Sequence, residues 1–135
     1  MRIEDGELRM ESRGGNPIVE KSYVFALGIV RLYKFLIENK KEFVLSKQLL
    51  RSGTSIGANI REAVDGQSKL DFLSKMNISL KEARESLYWI DLLADSNYID
   101  LKQKQEVYKE CEELIRMLVS IVKTTKKKIG GKYAN

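Results

Sequence analysis

Histidine is absent from this chain of 135 residues, and cysteine and proline each occur once. Without histidine, a Glu-x-x-His di-iron site, a histidine-ligated haem and a Ser-His or Cys-His nucleophile are close to excluded. One cysteine excludes a disulfide scaffold. No apolar run reaches the roughly 18 to 20 residues of a membrane span, and the N-terminus does not resemble a signal peptide. These absences predict a cytoplasmic protein with no membrane segment, no metal, no cofactor and no enzymatic activity.

The remaining composition, 43% hydrophobic and 32% charged, is that of one globular domain. Basic residues outnumber acidic ones by 24 to 19, and residues 1–122 hold 19 of each sign. The whole excess therefore lies in an acid-free C-terminal stretch, on Lys123, Lys126, Lys127, Lys128 and Lys132. This distribution indicates a neutral body with one cationic end.

Capping residues and breaks divide the chain into four helices, at about residues 17–38, 46–65, 69–95 and 101–128. Asn16 before Pro17, Ser68 and Asp100 are expected to cap helix starts, and Gly66 is expected to end the second helix in a left-handed conformation. Residues 1–16 read as a weakly ordered N-terminal arm, and residues 129–135 as a basic flexible tail.

The spacing of apolar residues supports the helices more strongly than the caps do. Steps of three and four recur without a miss in the third helix and in the fourth. These seams are Leu73, Met76, Leu80, Ala83, Leu87, Ile90 and Ala94, then Val107, Cys111, Leu114, Leu118 and Ile121. The second helix shows the same steps at Leu45, Leu49, Gly53, Ile56, Ile60 and Val64. Because short connections favour antiparallel neighbours, the predicted fold is all-α, an antiparallel up-down-up-down four-helix bundle.

The first helix carries two apolar stripes, although a bundle helix needs only one. We assign the stripe of Val19, Tyr23, Ala26, Val30, Tyr33 and Ile37 to the core. The second stripe consists of Phe25, Ile29, Leu32 and Leu36, which a monomer would then leave in water. Coverage by the N-terminal arm is the alternative, but the arm has few apolar groups. The second stripe therefore predicts association into a homo-oligomer.

The second helix is rich in small residues, which lower its intrinsic helix stability. Five of them stand out: Ser52, Gly53, Ser55, Gly57 and Asn59. Glycines four residues apart leave a flat strip, which favours close packing of another helix. A surface for ligand approach, with Ser52, Ser55 and Asn59 as polar contacts, is the alternative interpretation.

The same stretch carries a family resemblance, through Ser55-Ile56-Gly57-Ala58-Asn59-Ile60-Arg61-Glu62 and, in the next helix, Ser79-Leu80-Lys81-Glu82-Ala83. It resembles the four-helix bundle proteins called 23S rRNA intervening sequence proteins, small cytoplasmic bacterial proteins to which no established activity is attached. These are related to the accessory protein of diversity-generating retroelements, a basic homopentameric barrel associated with nucleic acid. The resemblance implies a ring-forming homopentamer with a nucleic-acid partner.

Two classes of binding function remain open. In the first, the five C-terminal lysines, with Arg51 and Arg61, bind RNA or DNA without sequence specificity, because no aromatic side chain except Tyr133 lies among the lysines to stack on bases. The lysines as a merely solubilising helix end are the alternative. In the second class the protein is a scaffold or adaptor that binds another protein, with Tyr88 and Trp89 as anchors.

Overall fold

Four α-helices make up the computed structural model, which describes residues 16–133 and the side chains of residues 16–130. They are α1 (Pro17–Asn39), α2 (Leu45–Val64), α3 (Lys69–Asp95) and α4 (Leu101–Tyr133), with no strand in this described part. The predicted N-terminal arm, apart from Asn16, lies outside the described residues. Residues 129–133, predicted as flexible tail, instead continue α4, and Ile129, about two turns after Ile121, is half-buried.

Each helix packs against the next along the chain, and α1 also packs against α4. Between α2 and α3, Ser52 Oγ lies 2.9 Å from Ser86 Oγ, and Glu62 pairs with Lys75 at 3.1 Å. Partners in α3 therefore move back along the chain as α2 advances. The end that holds the starts of α1 and α3 also holds the end of α2.

The core uses the predicted seams of the last three helices. Its buried members from those seams are Leu49, Gly53, Ile56, Ile60, Met76, Leu80, Ala83, Ile90, Val107, Cys111, Leu114 and Leu118. Leu45 and Ile121 are half-buried, whereas Val64 at the end of α2 is 46% exposed. The steps of three and four thus identify the inward faces of α2, α3 and α4 correctly.

The assignment of the two stripes of α1 is wrong. Phe25, Ile29, Leu32 and Leu36, which were expected to face a second subunit, are buried in the core of a single chain. The stripe assigned to the core is half-buried from Tyr23 to Ile37, and only Val19 is buried. Ser22 also belongs to the inward face of α1. Because a serine interrupts the apolar pattern of that face, the sequence did not identify it as the inward face. Ser22 Oγ donates to the Val19 carbonyl at 3.1 Å, so its burial leaves no donor unpaired.

Two of the three predicted caps form. Ser68 Oγ accepts from the Asp71 amide at 3.1 Å, and Asp100 Oδ1 accepts from the Gln103 amide at 2.8 Å. Asn16 precedes Pro17 as expected but makes no side-chain capping bond.

Gly66 does not adopt the predicted left-handed conformation. An added Cβ there would meet the Asp71 carboxylate, which can move aside, and would lie 3.1 Å from the Ala63 carbonyl oxygen. The left-handed positions among the described non-glycine residues are Lys41 (φ 54°) and Asn97 (φ 69°), in the α1–α2 and α3–α4 connections.

Glu42 organises the start of α2, a role that the sequence did not suggest. Its carboxylate is buried and accepts hydrogen bonds from the amides of Val44, Leu45 and Ser46 at 3.1, 2.9 and 2.7 Å. Burial disfavours the charged form, but these amides outweigh it and hold the pKa of Glu42 below its ordinary value. The first amides of α2 are thereby satisfied by a buried anion.

Candidate nucleic-acid interface

The exposed lysines of the cationic end lie along the last turns of α4. Lys123, Lys126, Lys127 and Lys128 are all exposed, and Lys132 belongs to the helical end whose side chains lie outside the described set. No acidic residue follows Glu113 in the sequence. Helix α4 therefore extends through the charge excess that the sequence assigned partly to a flexible tail.

The two candidate arginines of α2 have different surroundings. Arg51 pairs with Glu85 of α3 at 2.9 Å, whereas the Arg61 guanidinium lies 5.1 Å from the centre of the Tyr23 ring. Arg61 also lines a groove with Asn16 at the start of α1. Ten residues of helix separate the two arginines by about 15 Å. The structure thus places Arg61, but not Arg51, at the end of the bundle where α1 begins.

Arg116 is another cation at this end of the bundle. The sequence did not suggest it as a candidate nucleic-acid-binding residue. It is exposed and lines a groove with Asn16, Pro17 and Ile18 of α1. A spacing of seven residues from Lys123 was the available signal, because it places two cations on one face of a helix.

The two glycines of α2 face α1. A Cβ added at Gly53 would lie 3.0 Å from Ile29 Cγ1, and one added at Gly57 would lie 3.2 Å from Ser22 Oγ. Both distances are shorter than most Cβ contacts, so the two glycines permit the close approach of α1 to α2. The small-residue strip is therefore occupied by a helix of the same chain.

The polar members of that strip are satisfied within the bundle. Ser52 Oγ shares its hydrogen bond with Ser86, Ser55 Oγ donates to the Arg51 carbonyl at 2.6 Å, and Asn59 Nδ2 donates to the Ser55 carbonyl at 2.9 Å. These bonds account for the residues structurally and give no support to a ligand-approach surface.

Two acidic residues of α2 and α3 pair with neighbouring side chains. Glu62 pairs with Lys75, and Glu85 accepts from both Arg51 and Trp89. Glu82 Oε1 is buried without a hydrogen-bond partner among the described residues. Within residues 16–130, no group of three His, Cys, Asp or Glu side chains is arranged to hold a metal ion.

Cys111 is a packed core residue. Its thiol donates to the Ala83 carbonyl at 3.2 Å, and burial, with a smaller contribution from Glu112, raises its pKa to about 12. Because the thiolate is the reactive form, this cysteine is chemically inert at neutral pH.

Tyr88 and Trp89, the predicted anchors for a protein partner, differ in accessibility. Tyr88 is 58% exposed, whereas Trp89 is half-buried and donates from Nε1 to Glu85 Oε2 at 3.2 Å. Their rings meet edge to face with centres 4.9 Å apart. Only the tyrosine offers a large free surface.

Four packed helices, a glycine seam and one lysine-rich end define a helical-bundle protein with a cationic terminus, and none of the described helices is long and apolar enough to cross a membrane. The chain belongs to the 23S rRNA-intervening sequence protein family, whose model matches residues 16–120. This confirms the family resemblance of the sequence.

A solved structure of a protein of unknown function, from the S23 ribosomal protein family of Bacteroides thetaiotaomicron, is similar at 53% identity and a TM-score of 0.79. The similarity covers 80% of this chain and 96% of that one. No curated protein matches. The family match includes Arg51, Arg61 and Arg116 but ends before Lys123.

Proposed function

We propose that the protein is a non-enzymatic homo-oligomer that binds nucleic acid, RNA or DNA, through basic residues and without sequence specificity. The observation that carries this proposal is the row of exposed lysines on the last turns of α4, with no acid after Glu113. The family's name refers to 23S rRNA, which agrees with a nucleic-acid partner.

Binding would proceed by neutralising phosphates. Lysine ammonium groups act as point charges toward phosphate oxygens, and their contacts release condensed counterions, so affinity falls steeply with salt. Among residues 114–133 the one aromatic residue is Tyr133, so the surface offers little stacking for bases. The lysines therefore contribute charge and position but little discrimination between sequences.

For the assembly we propose a homopentameric ring of antiparallel up-down-up-down bundles in the cytoplasm. The reversed order of contacts between α2 and α3 supports the antiparallel arrangement, and the number five rests on the family resemblance. The association of subunits rests on the same resemblance, because the stripe that predicted it is buried within one chain. In a ring, the cationic ends of several subunits would add their fields.

Purification of the untagged protein tests the proposal. We expect nucleic acid to accompany the protein through a moderate salt wash, and nuclease treatment to lower the ratio of absorbance at 260 to 280 nm. A protein free of nucleic acid at low salt would contradict it.

A second function, a scaffold that binds another protein, is favoured by one observation. Tyr88 is an exposed aromatic side chain whose ring rests against Trp89, and such residues often anchor protein interfaces. A stoichiometric protein in the same purification, lost on Tyr88→Ala, would support this function.

A further inference from the structure

Helix α4 has two electrostatic halves that meet between Glu113 and Arg116. Residues 101–113 hold three lysines and four glutamates, whereas residues 114–133 hold one arginine, five lysines and no acid. Glu113, the last acid, is paired with Lys21 of α1 at 3.2 Å. The basic half therefore begins at Arg116, a full two turns before the lysines.

One face of this basic half carries its cations in a row. Arg116, Ser120, Lys123 and Lys127 follow one another at spacings of four, three and four, which places them along one side of a helix, and all four are exposed. Eleven residues of helix extend the row over about 16 Å. We call these four residues the α4 ridge.

Acids also lie at this end of the bundle, with Glu20 in the first turn of α1 and Glu112 one turn before Arg116 on the same side of α4. Glu62 and Asp65 end α2 and Asp71 begins α3, and Glu62 is paired with Lys75. Arg116 lies beside the first turn of α1, at Asn16 and Pro17, where the Asn16 side chain makes no capping bond and the Val19 and Glu20 amides donate to the Asn16 carbonyl. The helix dipole is positive at this end of α1, and the Glu20 carboxylate in the same turn offsets it.

We infer that the α4 ridge is a phosphate-binding surface for a nucleic-acid duplex, with Arg116 as a contact equal to the lysines; this inference rests on the proposed function. A duplex offers about one charge per 1.7 Å of axis, twice the density of one strand, so a 16 Å ridge spans about ten phosphates. Single-strand binders combine charge with aromatic stacking, and Tyr133, after the last lysine, is the one aromatic residue among residues 114–133. A surface of charge without stacking therefore fits a duplex backbone.

Arg116→Gln tests the role of the arginine, and Lys102→Gln is the matched control. Lys102 is exposed on the same side of α4, fourteen residues or about 21 Å earlier, in the half that contains the glutamates. At 0.1 M salt, loss of one duplex phosphate contact should weaken binding about five- to tenfold and lower the slope of log affinity against log salt by about 0.9. We expect this for Arg116→Gln, restoration by Arg116→Lys, and no change for Lys102→Gln.

Labelled 20-base-pair duplexes of RNA and of DNA, and the corresponding single strands, are the probes. Tighter binding of either duplex than of its strands supports the inference, and equal or tighter binding of the strands overturns the choice of a duplex. Unchanged affinity and an unchanged salt slope for Arg116→Gln would contradict the assignment of the α4 ridge as the binding surface. If the wild type binds a probe, neither of these two results contradicts the proposed function. A wild type that binds no probe at low salt does contradict it. Circular dichroism and melting of each variant confirm that it is folded.

Discussion

Among single residues, Glu42 stabilises the start of α2, although the sequence placed that start after Ser46. The serine does contribute, because its Oγ donates to the Glu42 carbonyl at 2.8 Å. The Glu42 carboxylate contributes more, since it accepts hydrogen bonds from three amides that the helix itself leaves unpaired. A glutamate that precedes a helix by three residues has no standard capping signature, and its burial depends on the packing of the α1–α2 connection.

Glu42→Gln should lower the free energy of unfolding by about 1 to 3 kcal/mol at pH 7, because a neutral amide replaces an anion that accepts three hydrogen bonds. The pKa of Glu42 lies below its ordinary value of 4.5 in the folded chain, so its stabilisation is present above that value. It is lost as the pH falls through the folded-state pKa.

Denaturant unfolding of wild type and variant from pH 7 to pH 3 measures this difference, which should narrow below about pH 4.5. Glu38→Gln, on the exposed end of α1, is the control and should have little effect. Equal stability of Glu42→Gln and wild type at pH 7 would show that the capping bonds contribute nothing.

At the scale of helices, periodicity identified the inward faces of α2, α3 and α4 but not that of α1. Two stripes on α1, about 100° apart, both satisfy a helical period, so hydrophobicity alone cannot choose between them. The choice is made by α2, whose glycines admit Ile29 and Ser22 at close range. The contact between buried Ser22 and Gly57 joins distant parts of the chain. The spacing of apolar residues within one helix cannot predict such a contact.

The glycine seam between α1 and α2 predicts a substitution that is unfavourable despite better helix propensity. Gly57→Leu should lower stability, because overpacking against Ser22 costs about 1 to 3 kcal/mol and exceeds the propensity gain of under 1 kcal/mol. Thermal unfolding measures the change.

Gly28→Ala is the matched control, since an added Cβ there would lie 3.8 Å from Glu110 Oε1, an ordinary contact. This variant should instead be more stable by up to about 1 kcal/mol. If Gly57→Leu melts above wild type with its oligomeric mass intact, the seam does not limit the approach of the two helices.

For the whole molecule, counting the charged residues along the sequence located the cationic end. The count succeeds because the C-terminal residues include no acid that could neutralise the lysines. The same count did not decide between Arg51 and Arg61. Arg51 is paired with Glu85, 34 residues later, and this pairing exists only because α2 packs on α3. Predicting which basic side chains are free to bind a phosphate therefore requires knowledge of how the helices pack. The sign and the position of the charge excess can be predicted without it.

Assembly into a ring is a property of the whole molecule that light scattering measures directly. At micromolar concentration we predict the mass of five copies of the 15.5 kDa chain. A mass near that of one chain would contradict association, and a mass near two chains would retain association while excluding the pentamer.

The central claim, that nucleic acid binds at the cationic end, is tested most directly by salt-dependent titration of labelled RNA and duplex DNA. The wild type is compared with a chain that carries glutamine at the five lysines from Lys123 to Lys132, which retains Thr125 and Ile129 and hence the apolar seam of α4. Because each phosphate contact contributes about 0.9 to the slope on duplex DNA and 0.7 on single strands, we predict weaker binding to every probe and a slope flatter by several units. Unchanged affinity and slope, or no binding by the wild type at low salt, would contradict the claim.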